Sequence, residues 1–187
     1  MKQEKTSALK PGMDLILTKW IALRGTAEIA RQKEMQLLTR FPSAMITQAK
    51  GFELLLNTET EREEAKKAGA AEIYALGPQG IFSGLWRMAE EAGVGLRIEV
   101  RSIPIRQETV EICEFFDLNP YYLQSEGALL IGTWDGTEVV NRLNLAGIPA
   151  AVIGRATDGN DRILYNQGNC RYLDRPQKDE IEKLGDH

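Results

Sequence analysis

Short apolar segments alternate with helix-like segments along most of the chain, and this alternation is the feature that most limits its fold. The strand-like segments are MDLILTKW (13–20), AEIYAL (71–76), GLRIEVR (95–101), ALLIGTW (128–134), AAVIGRA (150–156), RILYN (162–166) and CRYL (170–173). Such alternation is typical of layered α/β domains, whereas strands that follow each other directly near the end of the chain indicate hairpins. The sequence therefore predicts an α/β (α+β) domain with a mixed β-sheet and packed helices.

Glycines and capping residues predict where the helices begin and end. Thr26 follows a turn at Gly25 and has the side chain of an N-cap, which predicts that a helix starts there and runs to Phe41. Thr60 and Glu63 have the spacing of a capping box, and we expect the charges of that helix (57–69) to face solvent. Further helices are predicted at residues 43–52, 81–93, 106–116 and 137–147, and Phe82 and Trp86 are expected on the buried face of the helix 81–93.

The end of the chain contains a turn signal. Residues 159–161 read Gly-Asn-Asp, which predicts a hairpin between the strands 150–156 and 162–166. We expect one domain over residues 13–175, a polar lead-in over 1–12, and a tail over 176–187 that forms a short helix.

Composition excludes several classes of function. The chain has 187 residues and a formal charge of −4, which argues against general affinity for nucleic acid or for anionic membranes. No apolar run approaches the roughly 20 residues that span a bilayer, and the first residues have no apolar signal core, so we expect a cytoplasmic protein. The histidine His187 and the cysteines Cys113 and Cys170 have neither zinc-type spacing nor a nucleophile pattern, so no metal site and no catalytic residue is predicted.

The stretch YALGPQGIFSGLW (74–86) indicates a strand that passes through a glycine loop into a helix. Backbone N–H groups at a helix start are unpaired and the helix dipole is positive there, so loops of this shape often hold phosphate. Gly77 and Gly80 are therefore candidate phosphate- or nucleotide-binding residues. A second candidate group consists of Lys19, Arg24, Gly25 and Thr26. The alternative for Lys19 and Arg24 is that they are solvated cations near a strand end, and we favour it.

Several motifs in order resemble one family. They are the helix 81–93 followed by Gly-x-Gly, the step IPI (103–105), the cysteine-bearing helix 106–116, the turn Asn119-Pro120, the strand that begins S-x-G-x-L-L-I at Ser125, and GIPAAVIG (147–154). Together they resemble the C-terminal domain of the AIR synthase-like (PurM-like) superfamily, and most closely its HypE-like, hydrogenase-maturation branch. The resemblance covers residues 12–175 and implies the fold of that domain.

Two departures from the family bear on function. Relatives usually carry an N-terminal domain that supplies acidic, metal- and nucleotide-binding residues, and we expect that domain to be missing from this chain. The family loop usually reads His-Asp-x-Thr-x-Gly-Gly, and aligned on Gly80 those positions hold Tyr74, Ala75, Gly77, Gln79 and Gly80. Family enzymes use ATP and Mg²⁺ to phosphorylate an oxygen, which needs carboxylates and a positioned acid or base. The resemblance therefore implies that this loop keeps the frame without the catalytic side chains.

Two functions from different classes follow. The first is a stand-alone accessory or assembly domain without catalysis of its own and without a required cofactor. The alternative is a component of an ATP-dependent synthase or hydrogenase-maturation activity, with ATP and Mg²⁺ bound only together with an N-terminal domain from a separate chain. Since that domain would cover an apolar surface, we expect a homo-oligomer or a tight protein partner. A third possibility is that the sequence is a fragment of a longer protein.

Overall fold

A computed structural model describes residues 7–185, and within this range the chain forms one seven-stranded sheet in the order β2-β4-β1-β5-β3-β6-β7. The strands are β1 Asp14–Thr18, β2 Glu72–Ala75, β3 Gly95–Glu99, β4 Leu129–Thr133, β5 Ala150–Thr157, β6 Arg162–Asn166 and β7 Asn169–Tyr172. β3 and β6 pair in parallel and the other neighbours pair antiparallel. The predicted mixed sheet is confirmed.

Helices cover the sheet on both faces. They are α1 Leu23–Gln32, α2 Glu34–Leu37, α3 Ser43–Lys50, α4 Glu59–Lys67, α5 Gly80–Ala92, α6 Gln107–Phe115 and α7 Gly136–Leu145, with 3₁₀ turns at Gly51–Leu55, Val100–Ser102, Pro120–Tyr122 and Glu180–Leu184. The larger core lies between one sheet face and helices α1, α3, α5 and α6, and the smaller core joins the other face to α4 and α7. Strand β1 serves both cores, because Leu15 and Leu17 point into the larger one and Ile16 into the smaller one.

The turn at residues 159–161 does not close a hairpin, so that prediction is wrong. β5 and β6 are not neighbours, because β3 lies between them and pairs with both. A turn signal reports only a local reversal of the chain, and strand pairing depends on tertiary contacts. A two-residue hairpin does follow, between β6 and β7, where Asn166 pairs with Asn169 across Gln167 and Gly168, both at positive φ.

Two predicted helix starts are also wrong. α1 begins at Leu23, so Gly25 and Thr26 are its third and fourth residues instead of a turn and an N-cap. α4 begins at Glu59, which places Thr60 inside the helix, and the Asn57 side chain accepts a hydrogen bond from the Glu59 N–H at 2.9 Å. In both cases a residue with capping chemistry lies close to a helix start without capping it.

Burial on α5 differs in part from the prediction. Phe82 is buried in the larger core, and Trp86 is only half-buried, with the Arg162 guanidinium 5.1 Å from its ring centre. Residues outside the predicted domain limits also pack on it: Leu9 lies in the larger core, and Asp179 is buried near the other end of the chain. The limits 13–175 stay a prediction. Within residues 7–185, every helix is too short or too polar to cross a bilayer.

Candidate functional site

The loop from Gly77 to Gly80 joins β2 to α5, as the sequence predicts for a candidate anion site. Gln79 and Gly80 both have left-handed backbone conformations, with φ of 69° and 72°. A Cβ atom on Gly80 would lie 2.4 Å from the carbonyl oxygen of Tyr121, so only glycine fits at this helix start. The first residue of the loop is held by a hydrogen bond, because the Ser125 N–H donates to the Gly77 carbonyl at 2.9 Å.

A carboxylate of the chain itself occupies the start of α5. One oxygen of Asp179 accepts the Gln79 N–H at 2.7 Å, and the other accepts the N–H groups of Ile181 at 3.1 Å and Gln124 at 3.3 Å. Asp179 is 6% exposed. A negative group at a helix N-terminus is favoured by the helix dipole. The position where the sequence predicts an external anion therefore holds an internal one.

The next residue anchors the same segment. Glu180 accepts the N–H of Asn119 at 3.0 Å and pairs with Lys183 at 2.6 Å. The two adjacent carboxylates thus fasten the 3₁₀ turn Glu180–Leu184 to the loop before α5 and to the loop after α6. The sequence reasoning missed both residues. The available signal was an Asp placed directly before a short helical segment, since Asp179 caps this turn.

The second candidate group, at the start of α1, is also filled by protein atoms. The Ala22 N–H donates to the Ser125 hydroxyl at 2.8 Å, and the Gly25 N–H donates to the Gln124 carbonyl at 3.0 Å. A Cβ on Gly25 would lie 2.5 Å from Cγ of Leu123, which explains the glycine as a packing requirement. Thr26 is fully buried, and its hydroxyl is 2.9 Å from that of Thr109.

Lys19 takes part in a buried ion pair. Its ammonium lies 3.2 Å from the Glu61 carboxylate and donates to the carbonyls of Leu55 and, at 3.0 Å, Asn57. Glu61 also accepts the Thr18 hydroxyl at 3.0 Å, and burial, the largest influence, raises the pKa of Glu61. Lys19 is 7% exposed and Glu61 2% exposed, so the expectation of fully solvated charges on α4 is wrong for Glu61, and Lys19 is not a solvated cation.

Arg24 lies apart from this ion pair. It is partly exposed, with its guanidinium 4.0 Å from Glu28 on the same helix. The two candidate cations therefore have other partners: Lys19 pairs with Glu61, and the partly exposed Arg24 lies beside Glu28. What connects the two candidate groups is the segment Leu123–Ser125, which hydrogen-bonds to the start of α1 on one side and to the Gly77 loop on the other.

At the loop the chain offers backbone groups, the Gln79 side chain, which accepts a hydrogen bond from the Arg87 guanidinium, and the hydrogen-bonded carboxylate of Asp179. Within residues 7–185 no group of three or more acidic, histidine or cysteine side chains is placed to hold a metal ion. Both Asp179 oxygens already accept backbone N–H groups, and a phosphate at Gln79 would meet the charge of that carboxylate. The residues present therefore do not fit Mg-ATP in this arrangement.

A mixed sheet is packed against helices, and the loop Gly77–Gly80 leads into α5. This architecture is that of a layered α/β domain. Residues 10–166 match the family described as AIR synthase related protein, C-terminal domain, and the chain belongs to this family. The resemblance found in the sequence is confirmed. Among curated relatives, carbamoyl dehydratase HypE of Rhodobacter capsulatus is 34% identical over 102 residues, which cover 51% of this chain and 30% of that protein.

Solved structures of HypE share the fold. The crystal structure of E. coli HypE, a hydrogenase maturation protein, matches with a TM-score of 0.77 at 18% identity and covers 96% of this chain and 54% of that chain. A HypE in complex with ATP matches with a TM-score of 0.68 at 14% identity, covering 96% and 55%. A HypE–HypF complex matches at 0.71 and 18% identity, covering 91% and 55%. The chain thus spans about half the length of these proteins.

Proposed function

We propose that the chain acts as an accessory or assembly domain of the HypE-like, hydrogenase-maturation kind and does not catalyse phosphoryl transfer by itself. The observation that supports this most is the occupation of the loop before α5. Its Gln79 N–H is taken by Asp179, and its side chains include no acid, base or metal ligand. Phosphoryl transfer depends on such groups, and each typically contributes a hundredfold or more in rate.

Partner binding is the second part of the proposal. Because the chain spans about half of the HypE proteins that it resembles, a complementary N-terminal-type domain is the expected partner, from a separate chain or from a longer form of this one, and a homo-oligomer is the alternative. A partly apolar groove supports a protein partner: Leu54, which is 89% exposed, lines it together with Leu55, Ala146 and Ile148. We propose a cytoplasmic location and no role for nucleic acid or membrane.

A second candidate function is a component of an ATP-dependent activity. The HypE structure with bound ATP favours it. In that case ATP and Mg²⁺ would bind only once an N-terminal-type domain adds its acidic residues, and Asp179 would have to leave Gln79 if the phosphate is to use that loop. Gly77 and Gly80 stay as proposed phosphate contacts for this state, with Lys19, Arg24, Gly25 and Thr26 as weaker proposals because their polar groups are already engaged or solvated.

The test is a turnover assay with Mg-ATP together with isothermal titration. We expect no ATP hydrolysis above background by the purified chain. HypE of Rhodobacter capsulatus serves as the comparison protein in the same assay. Adding the purified N-terminal half of that HypE separates the two functions: turnover that appears only in the mixture favours the ATP-dependent component. Micromolar Mg-ATP affinity and turnover by the chain alone would overturn the accessory-domain proposal.

A further inference from the structure

A separate cleft of about 340 Å³ lies between the β6–β7 hairpin, the first turn of α5 and the 3₁₀ turn after α6. It contains none of the residues that the sequence singles out as phosphate-binding. Volumes of this size are at the lower end of those that hold small organic molecules. The cleft is therefore a candidate ligand site that is separate from the Gly77–Gly80 loop.

One wall of the cleft is a rigid aromatic pair. The rings of Phe82 and Tyr121 are stacked, with centres 4.7 Å apart and planes 8° apart, and Tyr122 packs edge-on against Phe82 at 5.5 Å. Phe82 is buried, and Tyr121 lines the cleft while half-buried. Burial raises the pKa of Tyr121, so its hydroxyl stays neutral at physiological pH. A flat, pre-formed aromatic wall favours a planar ligand group.

The lining of the cleft includes one cation, while the Glu180 carboxylate accepts the backbone N–H of the lining residue Asn119 at 3.0 Å. Among the described residues that line it, Arg171 is the one charged side chain, although the whole chain has a net charge of −4. Its guanidinium carbon lies 5.7 Å from the centre of the Phe82 ring. The nearest acidic partner of Arg171 is Asp174 at 3.8 Å, with both side chains more than half exposed, and such surface pairs are weak. The guanidinium is thus available to a ligand.

Amide groups complete the polar lining. Asn119, Asn166 and Asn169 all border the cleft. The Asn119 side-chain oxygen accepts the Tyr121 N–H at 3.1 Å, which fixes the amide and leaves its NH₂ group as a donor. Asn166 and Asn169 lie at the two ends of the β6–β7 turn and are exposed. Amide donors beside a guanidinium match the oxygens of a carboxylate or a phosphate.

We propose that this cleft binds a small planar anion, such as an aromatic or unsaturated carboxylate, with the anionic group on Arg171 and the asparagine amides and the planar group against Tyr121. Arg171 supplies the charge and Tyr121 the flat surface, so affinity requires both parts of the ligand. No residue of the Gly77–Gly80 loop lines the cleft, so this proposal does not depend on whether the chain binds ATP together with a partner.

The test is a titration of 4-carbamoylbenzoate, the probe, into the full chain. Two-dimensional NMR of the backbone amides monitors each step of the titration. We expect saturable shifts at residues 119, 121 and 122 and at residues 164–171. Arg171→Gln should weaken binding about tenfold or more, since a hydrogen bond to a charged group is lost, and Tyr121→Leu should weaken it as well. Arg175→Gln is the matched control, because this exposed arginine lies four residues away and does not line the cleft.

Two further probes separate the contributions. Benzamide has an aromatic ring without a negative charge, and acetate has a negative charge without an aromatic ring. Each should therefore bind more weakly than 4-carbamoylbenzoate. The spectra of the variants also show whether each one is folded. Absence of saturable shifts at millimolar probe, equal binding by Arg171→Gln and wild type, or equal binding of benzamide would overturn the proposal.

Discussion

Replacing Asp179 with alanine should destabilise the domain, because this buried carboxylate holds the C-terminal segment (residues 176–185) against the start of α5. The substitution removes the acceptor of the short Gln79 contact at 2.7 Å and of the Ile181 cap at 3.1 Å, while the Gln124 contact at 3.3 Å is long and contributes little. A hydrogen bond to a charged group contributes about 1.5–3 kcal/mol and an N-cap about 1 kcal/mol. We expect Asp179→Ala to lower the free energy of unfolding by about 2–4 kcal/mol.

The assay is urea unfolding monitored by tryptophan fluorescence. The matched control is Asp174→Ala. Asp174 belongs to the same end of the chain but is exposed, and its pairing with Arg171 at 3.8 Å should contribute less than about 1 kcal/mol. Asp179→Asn keeps one acceptor oxygen and should fall between the two. Equal loss of stability in Asp179→Ala and Asp174→Ala would refute the reasoning that Asp179 fastens the C-terminal segment to the start of α5.

Two other predictions concern buried titratable groups. Burial raises the pKa of Glu61, so its proton is bound more tightly in the native chain than in the unfolded chain. The contribution of Glu61 to the free energy of unfolding is therefore present at acidic pH. It is lost as the pH rises through the raised native pKa. Unfolding of wild type and Glu61→Gln across acidic to neutral pH measures this, and an opposite slope of the difference would contradict it. Burial also raises the pKa of the Cys113 thiol to about 12, whereas Cys170 is exposed, so Ellman's reagent should label Cys170 alone in the native chain and both thiols after unfolding. Fast labelling of Cys113 in the native chain would show that it is not buried.

The sequence by itself determined the element types and the family. Strands β1 to β7 and the helices from α3 onward follow from hydrophobic periodicity and glycine positions, because these patterns act over a few neighbouring residues. Family membership followed from the order of several weak motifs. The missing side chains of the Gly77–Gly80 loop were also visible directly, since they concern residue identity alone.

Only the tertiary structure decided which strands are neighbours in the sheet and which charged residues have buried partners. β3 lies between β5 and β6 because strand order depends on contacts far apart in sequence, which a turn signal at residues 159–161 does not report. The same reason explains the site: Glu61 meets Lys19 across 42 positions, and Asp179 meets Gln79 across 100. A charged residue looks the same in the sequence whether it is solvated or paired inside the protein, and the difference lies in the distant residue that folding brings beside it.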